Sequence, residues 1–356
     1  MSAEEEKPQE PLLYISAPNE PVEGGMAGRE FPETLEELEL PINRLEKIEN
    51  LTTPVNLTRL VLRQNQIKVI EGLDALVKLE YLDLYFNEIE VIQGLDKLTS
   101  LTYVARNCAP AAQPRSCTPR ALEHAQTHTI AACTLSPSRY LDLSFNSIRK
   151  IENLDALVNV TELYLIQNKI KVIQGLDGLA AKLRLLELGA NRIRVMENLD
   201  ALVNLEQLFL GKNKIEKIEG LDKLAKLRQL SLQSNRIEEI GEAVATLDKL
   251  EELYLADNGV ETLPLALGKL PLLHTIDLSG NRIAELPAEL RLEKVTEFWM
   301  SNNAIDKWPE VERIHAICPK AETVYLNGNP VSNDPRYLAR VRDLIPGLTQ
   351  IDATYM

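Results

Sequence analysis

The stretch Leu57-Thr58-Arg59-Leu60-Val61-Leu62-Arg63-Gln64-Asn65-Gln66-Ile67-Lys68-Val69-Ile70-Glu71-Gly72-Leu73 decides the architecture. Leu60 and Leu62 stand two apart, so in a short strand both point to one side and pack inward. Asn65 carries a donor and an acceptor on a short side chain, which suits it to satisfy backbone groups where the strand bends away. Ile67, Ile70 and Leu73 follow at spacings that fit a tight helical or 3-10 return path, and Gly72 permits the turn.

The frame recurs along the chain. Its asparagine appears at Asn43, Asn65, Asn87, Asn146, Asn168, Asn191, Asn213, Asn235, Asn258, Asn281, Asn303 and Asn329, with most spacings 22 or 23 residues. A period in this range with this frame is the signature of a leucine-rich repeat. No single coil buries its apolar face alone, so the coils stabilise one another by stacking. The expected fold is an α/β solenoid of about twelve 22-residue repeats. Parallel strands would line the concave face, short helical or 3-10 segments the convex face, and a cap would close the C-terminal end.

The solenoid is assigned to 31–330 and the cap to 331–356, where the frame stops and 334–344 reads as a capped amphipathic helix. Residues 1–30 hold seven acidic and two basic side chains together with Pro8, Pro11, Pro18, Pro21 and Gly24-Gly25, and are expected to be a disordered acidic tail.

One interval breaks the register. Asn87 and Asn146 lie 59 residues apart, one 22-residue repeat plus 37. Removing 103–139 joins Leu101-Thr102 to Tyr140-Leu141-Asp142-Leu143 and reproduces the preceding Leu79-Glu80-Tyr81-Leu82-Asp83-Leu84. The removed segment has three of the four cysteines and four prolines, so it is expected to be a loop extruded from the solenoid edge. Its Cys108, Cys117, His124, His128 and Cys133 lack the closely paired thiols of a zinc site.

The formal charge of −14 argues against nucleic acid or an anionic membrane as partner and for a protein with a basic surface. The Met1-Ser-Ala-Glu-Glu-Glu start lacks the basic and apolar regions of a secretory signal, and no apolar run approaches the ~18 residues of a membrane span. Nothing reads as catalytic: His274 and His315 are isolated, no phosphate-binding glycine loop occurs, and the acids do not fall at metal-ligand spacings. The expectation is a non-enzyme with no cofactor and no metal, monomeric before it meets a partner.

The positions flanking the paired leucines point outward. They hold eight of the seventeen aromatics: Tyr81, Tyr85, Tyr140, Tyr164, Phe209, Tyr254, Trp299 and Tyr325. From the third repeat onward they also carry Asp83, Asp142, Glu162, Glu187, Glu252, Asp277 and Glu297, and no Lys or Arg. Outward rings on an open sheet have no core to enter and are typical interface anchors, while an acidic rim steers a basic partner.

Read with their strands, these residues resemble the leucine-rich-repeat regulatory subunits of protein phosphatase 1, the sds twenty-two family. The segments that carry the resemblance are 186–193 (Leu-Glu-Leu-Gly-Ala-Asn-Arg-Ile), 208–215 (Leu-Phe-Leu-Gly-Lys-Asn-Lys-Ile), Glu297-Phe298-Trp299-Met300, Glu322-Thr323-Val324-Tyr325-Leu326 and Gln350-Ile351-Asp352-Ala353-Thr354. The resemblance implies contact roles on the phosphatase catalytic subunit for Asp142, Tyr164, Glu187, Phe209, Asp277, Glu297, Trp299 and Tyr325, to which the outward-facing Tyr254 is added. It also implies control of phosphatase activity or maturation, at times with a small inhibitor protein, in nucleus and cytoplasm. Tyr164 departs from the phenylalanine expected there. The short basic-aliphatic-x-Phe docking peptide is not evident, since Lys294-Val295-Thr296-Glu297-Phe298 has one residue too many. The competing reading is a repeat adaptor for a cytoskeletal or spliceosomal protein.

Overall fold

The computed structural model describes residues 14–17, 26, 28–98, 100, 101 and 140–355. Strands of three residues, one per coil, stack in parallel register into a 4-stranded sheet at the N-terminal end and an 11-stranded sheet toward the C-terminus. The last two strands of the larger sheet have two residues each, and the final one runs antiparallel. The chain is a parallel-strand solenoid of about twelve turns.

The repeated asparagine holds the coils together. Asn191, at 8 % exposure, accepts the backbone N–H of Ile170 on Oδ1 at 3.0 Å. Its Nδ2 donates to the Leu165 carbonyl of the preceding coil at 2.8 Å and to Leu188 and Gly189 of its own coil at 3.0 and 3.2 Å. The same bond from the residue two past one asparagine to the Oδ1 of the next recurs from Leu45–Asn65 through Ile305–Asn329. Each asparagine thus satisfies buried backbone groups that would otherwise cost about 1–3 kcal/mol apiece. Inside the ladder the frame aliphatics form one continuous core, with Phe298 filling a leucine slot between Ile276 and Val324.

On the return path, Gly94 has φ +67°, and a Cβ there would lie 2.6 Å from the Ile70 carbonyl oxygen of the coil before. Where asparagine takes this place, as at Asn153 (φ +59°) and Asn198 (φ +58°), it adopts the same left-handed conformation. Its Nδ2 then bonds the preceding coil's Ile92 or Ile173 carbonyl, each at 2.7 Å. Glycine avoids the clash and asparagine replaces the lost space with a hydrogen bond.

The convex side carries the expected short helical or 3-10 segments on some coils only. Continuous 3-10 helix is confined among the described residues to Asp177–Leu179, Ala243–Thr246, Leu265–Lys269 and Pro330–Asn333. Most other coils return through separate turns, such as Leu76 N–H to Leu73 O and Leu79 N–H to Leu76 O, both 2.9 Å. A 22-residue coil has too little chain left after its strand and two corners for a helix. The 26-residue interval between Asn303 and Asn329 does have enough, and it contains α1, Trp308–Ile317. Glu310 of α1 is 4 % exposed, pairs with Arg313 at 2.6 Å and accepts the Leu286 N–H at 2.8 Å, which fastens the helix to the coil before it.

At the C-terminal end α2, Tyr337–Leu344, packs against α1 and the strand Gln350–Ile351. The helix starts later than the sequence suggested: Asp334 lies ahead of it, bonding the Arg336 N–H at 2.8 Å and Arg340 at 2.7 Å. Asp352 ends the ladder, accepting the Leu326 and Asn327 N–H groups at 2.7 and 3.0 Å and the Tyr337 hydroxyl at 2.9 Å. Thr354–Tyr355 then turns back antiparallel along Gln350–Ile351 and covers the sheet edge.

The N-terminal expectation needs correction. Within 1–30, Tyr14–Ser16 is a strand paired in parallel with Glu37–Glu39, Ala17 is buried, and Met26 is fully buried in the core. These residues extend the solenoid, because the first coil would otherwise present its unpaired strand edge and apolar end to water. Apart from 28–30, the remainder of the tail lies outside the described residues, as does the whole segment 103–139 with its cysteines and histidines.

Candidate protein-binding site

The register of the strands places the outward residues in rows. Asp142, Tyr164, Glu187, Phe209, Ser231, Tyr254, Asp277, Trp299 and Tyr325 occupy the same position on nine successive strands. All the residues given contact roles from sequence fall in this one row except Glu297, which lies two residues before Trp299 in the adjacent row, between Thr275 and Thr323. The outward-facing Tyr140, Glu162 and Glu252 share that adjacent row. Nine strands at roughly 4.8 Å make a band about 38 Å long.

Its C-terminal half is an aromatic cluster threaded with acids. The Trp299 ring meets Tyr254 at 6.4 Å and Tyr325 at 5.6 Å, both edge-on, with Asp277 in register between Tyr254 and Trp299. The Tyr254 hydroxyl donates to Glu252 at 2.7 Å; Gln229 donates to the same carboxylate at 2.8 Å, and Gln207 to Gln229 at 2.7 Å. Burial, and then the bond to Glu252, push the Tyr254 phenol well above its ordinary range, so it remains a neutral donor. Gln350 donates to the Tyr325 hydroxyl at 2.7 Å. Trp299 Nε1 is buried without an acceptor among the described residues.

The acids are held in place by their own coils. Glu187 accepts the Gly189 N–H at 2.8 Å and Asp277 the Ser279 N–H at 2.9 Å. A Cβ at Gly189 would lie 2.7 Å from Glu187 Oε1, so the glycine provides the space that this carboxylate fills. Burial raises the Asp277 carboxyl above its usual value, opposed by the hydrogen bonds from Ser279.

Toward the N-terminus the row is more closed than an open wall of side chains. Asp142 is 4 % and Tyr164 only 2 % exposed. The Tyr164 ring stacks on Tyr140 at 5.9 Å, and its hydroxyl donates to Glu162 at 2.6 Å. Strands about 4.8 Å apart are closer than the width of two rings, so neighbouring large side chains lie over one another. Beyond the insert the row continues as Asp83, Val61, Glu39 and Ser16. Asp83 bonds the Tyr85 N–H at 3.0 Å, and burial lifts its carboxyl to about 6. The strand pattern marks Asp83 as outward-facing, whereas its burial follows from tertiary packing. Arg59 stands near this end, 3.7 Å over the Tyr81 ring and 3.1 Å from Glu39.

The near-match Lys294–Phe298 to a docking peptide belongs to the core, with Val295 and Phe298 fully buried. Cys318 is likewise buried, and burial raises its thiol far above the ordinary range, which makes it unreactive. Among the described residues no three His, Cys, Asp or Glu side chains are grouped to hold a metal ion, and no helix is long and apolar enough to cross a membrane.

Comparison with known proteins agrees with the architecture. Residues 55–97 match a model described as leucine rich repeats in two copies, and 181–237 and 225–283 match a leucine rich repeat model. A 65-residue stretch is 42 % identical to protein phosphatase 1 regulatory subunit SDS22 of Schizosaccharomyces pombe, covering 18 % of this chain and 20 % of that protein. In structure the chain is similar to an internalin of Listeria monocytogenes, with a TM-score of 0.64 at 21 % identity over 90 % of this chain and 80 % of the other. It is also similar to a leucine-rich-repeat protein of Leptospira interrogans, with a TM-score of 0.61 at 20 % identity over 95 % and 100 % of the two chains. At these identities the solved structures speak for the fold alone. The chain is a leucine-rich-repeat solenoid with one acidic and aromatic row along its sheet.

Proposed function

We propose that the chain is a non-catalytic regulatory subunit that binds the catalytic subunit of protein phosphatase 1 through this row and controls its activity or maturation. The observation that carries the reading is the single-file placement of Glu187, Phe209, Tyr254, Asp277, Trp299 and Tyr325, with Glu297 alongside. The 42 % identity to a named phosphatase regulatory subunit over 65 residues supports it. Half-exposed rings supply anchors, and fixed carboxylates orient a basic partner surface. The same reading places the protein in nucleus and cytoplasm, monomeric until it meets the phosphatase, with room for a small inhibitor protein in the assembly.

The test is to mix purified chain and purified catalytic subunit, then measure complex formation by size-exclusion chromatography and activity on a phosphopeptide. A stable one-to-one complex with altered phosphatase activity is expected. Separate elution at micromolar concentrations with unchanged activity would overturn the reading.

A further inference from the structure

The segments following three successive ladder asparagines are Ser-Ile-Arg-Lys at 147–150, Lys-Ile-Lys-Val at 169–172 and Arg-Ile-Arg-Val at 192–195. They contain Arg149, Lys150, Lys169, Lys171, Arg192 and Arg194 and no acid. The coils on either side differ: 88–91 reads Glu-Ile-Glu-Val and 214–217 Lys-Ile-Glu-Lys. Backbone bonds from Lys169 N–H to Ile148 O and from Arg192 N–H to Ile170 O, each 2.8 Å, set the three segments side by side.

Six cations thus share one edge of a chain whose net charge is −14. Lys169 donates to Ser147 at 2.9 Å, but among the described residues none of the six pairs with a carboxylate. All but the half-buried Lys169 are exposed. Arg149, Lys150, Lys169, Lys171, Val172 and Gln174 line a concavity of about 280 Å³. Val172 at 38 % and Val195 at 43 % exposure set aliphatic surface among the charges. Like charges gathered without counter-ions repel one another and add nothing to the fold, whereas an anionic ligand would relieve them.

We infer that this edge is a docking site for a short acidic segment of a protein, separate from the acidic and aromatic row and independent of the phosphatase reading. Carboxylates would meet the six cations and aliphatic side chains would lie on Val172 and Val195. Three coils at about 4.8 Å, with the reach of the side chains, accommodate roughly four to six extended residues. An acidic polypeptide fits better than nucleic acid. The three segments present no aromatic ring on which a base would stack, and the chain as a whole repels a phosphate backbone at long range.

The test uses the full chain and a fluorescein-labelled peptide of about ten alternating glutamate and valine residues, followed by fluorescence anisotropy at about 50 mM salt. Saturable binding is expected, weakened at least about tenfold in the Arg149→Ser/Lys171→Ser/Arg194→Ser variant, weakened by added salt, and unchanged in Phe209→Ala. A second variant, Lys150→Ser/Lys171→Ser/Arg192→Ser, guards against a folding defect in the first, with both checked by circular dichroism. No saturable binding, or equal binding by both variants, would overturn the inference. So would tighter binding of a uridine oligonucleotide that both variants lose, or concentration-dependent self-association that they abolish while the peptide goes unbound.

Discussion

The side-chain oxygen of Asn146 accepts the backbone N–H of Ile89 at 3.0 Å although 57 residues separate them. This is the bond that elsewhere joins residues 20 or 21 apart, as in Ile67–Asn87 and Ile170–Asn191, or 24 apart at Ile305–Asn329. Asn146 Nδ2 also reaches the Leu84 carbonyl at 3.2 Å, and Ser147 N–H bonds Ile89 O at 2.8 Å, so the coils of Asn87 and Asn146 are direct neighbours. A chain with 103–139 deleted, joining Thr102 to Tyr140, should therefore fold. Loop-closure entropy alone should make it more stable by up to about 1 kcal/mol. Urea unfolding compares the two, and a deleted chain that fails to fold would show that the segment is needed for the stack.

The asparagine ladder makes a second, quantitative expectation. Asn191→Ala leaves the Ile170 N–H unpaired inside the solenoid and removes one of the two donors from the Leu165 and Leu188 carbonyls, which keep those of Asn168 and Asn213. The cost should be about 3 kcal/mol, against well under about 1 kcal/mol for Lys182→Ala on the exposed side. Chemical denaturation of both variants checks the difference.

Asp83 should make stability depend on pH in an unusual direction. It is 1 % exposed, Oδ2 has no hydrogen-bond partner among the described residues, and burial is the main cause of a carboxyl raised to about 6, with nearby Asp142 raising it further. The folded state therefore holds this proton more tightly than the unfolded state. The contribution of this group is fully present below the ordinary carboxylate value and is lost as pH rises through about 6. Asp83→Asn keeps an oxygen for the Tyr85 N–H and removes the charge. It should stabilise the chain at pH 7.5 by up to about 3 kcal/mol and have little effect near pH 4. Thermal unfolding across this range reads the outcome directly.

Trp299 separates ring from polar tip. Its Nε1 is buried without an acceptor among the described residues, so Trp299→Phe removes an unsatisfied donor and keeps an aromatic ring against Tyr254 and Tyr325. Stability should fall by less than about 1 kcal/mol, whereas Trp299→Ala should lose more through the lost ring contacts. Calorimetric melting of the two variants measures this.

Much of the molecule was legible in the sequence because its determinants are local and periodic. The leucine pairs give strand direction, the asparagines give register, and together they align Glu187, Phe209, Asp277 and Trp299 in one row. The strand Tyr14–Ser16 was not legible, since three residues among prolines and acids form a strand only because Glu37–Glu39 offers an edge. The helix α1 left a trace in the 26-residue spacing and in Pro309 within its first turn, but aliphatic periodicity alone concealed it. The burial of Asp142 and Tyr164 depends on neighbours in adjacent coils, which no single repeat encodes.

The most direct measurement is isothermal titration of the protein phosphatase 1 catalytic subunit with the intact chain, with Phe209→Ala/Trp299→Ala, and with Val203→Ser, whose side chain is exposed outside the row. The account predicts that the double variant loses at least about 2 kcal/mol, roughly thirtyfold in Kd, while Val203→Ser binds as the intact chain does. Equal affinity for all three, with the double variant still folded, would contradict it.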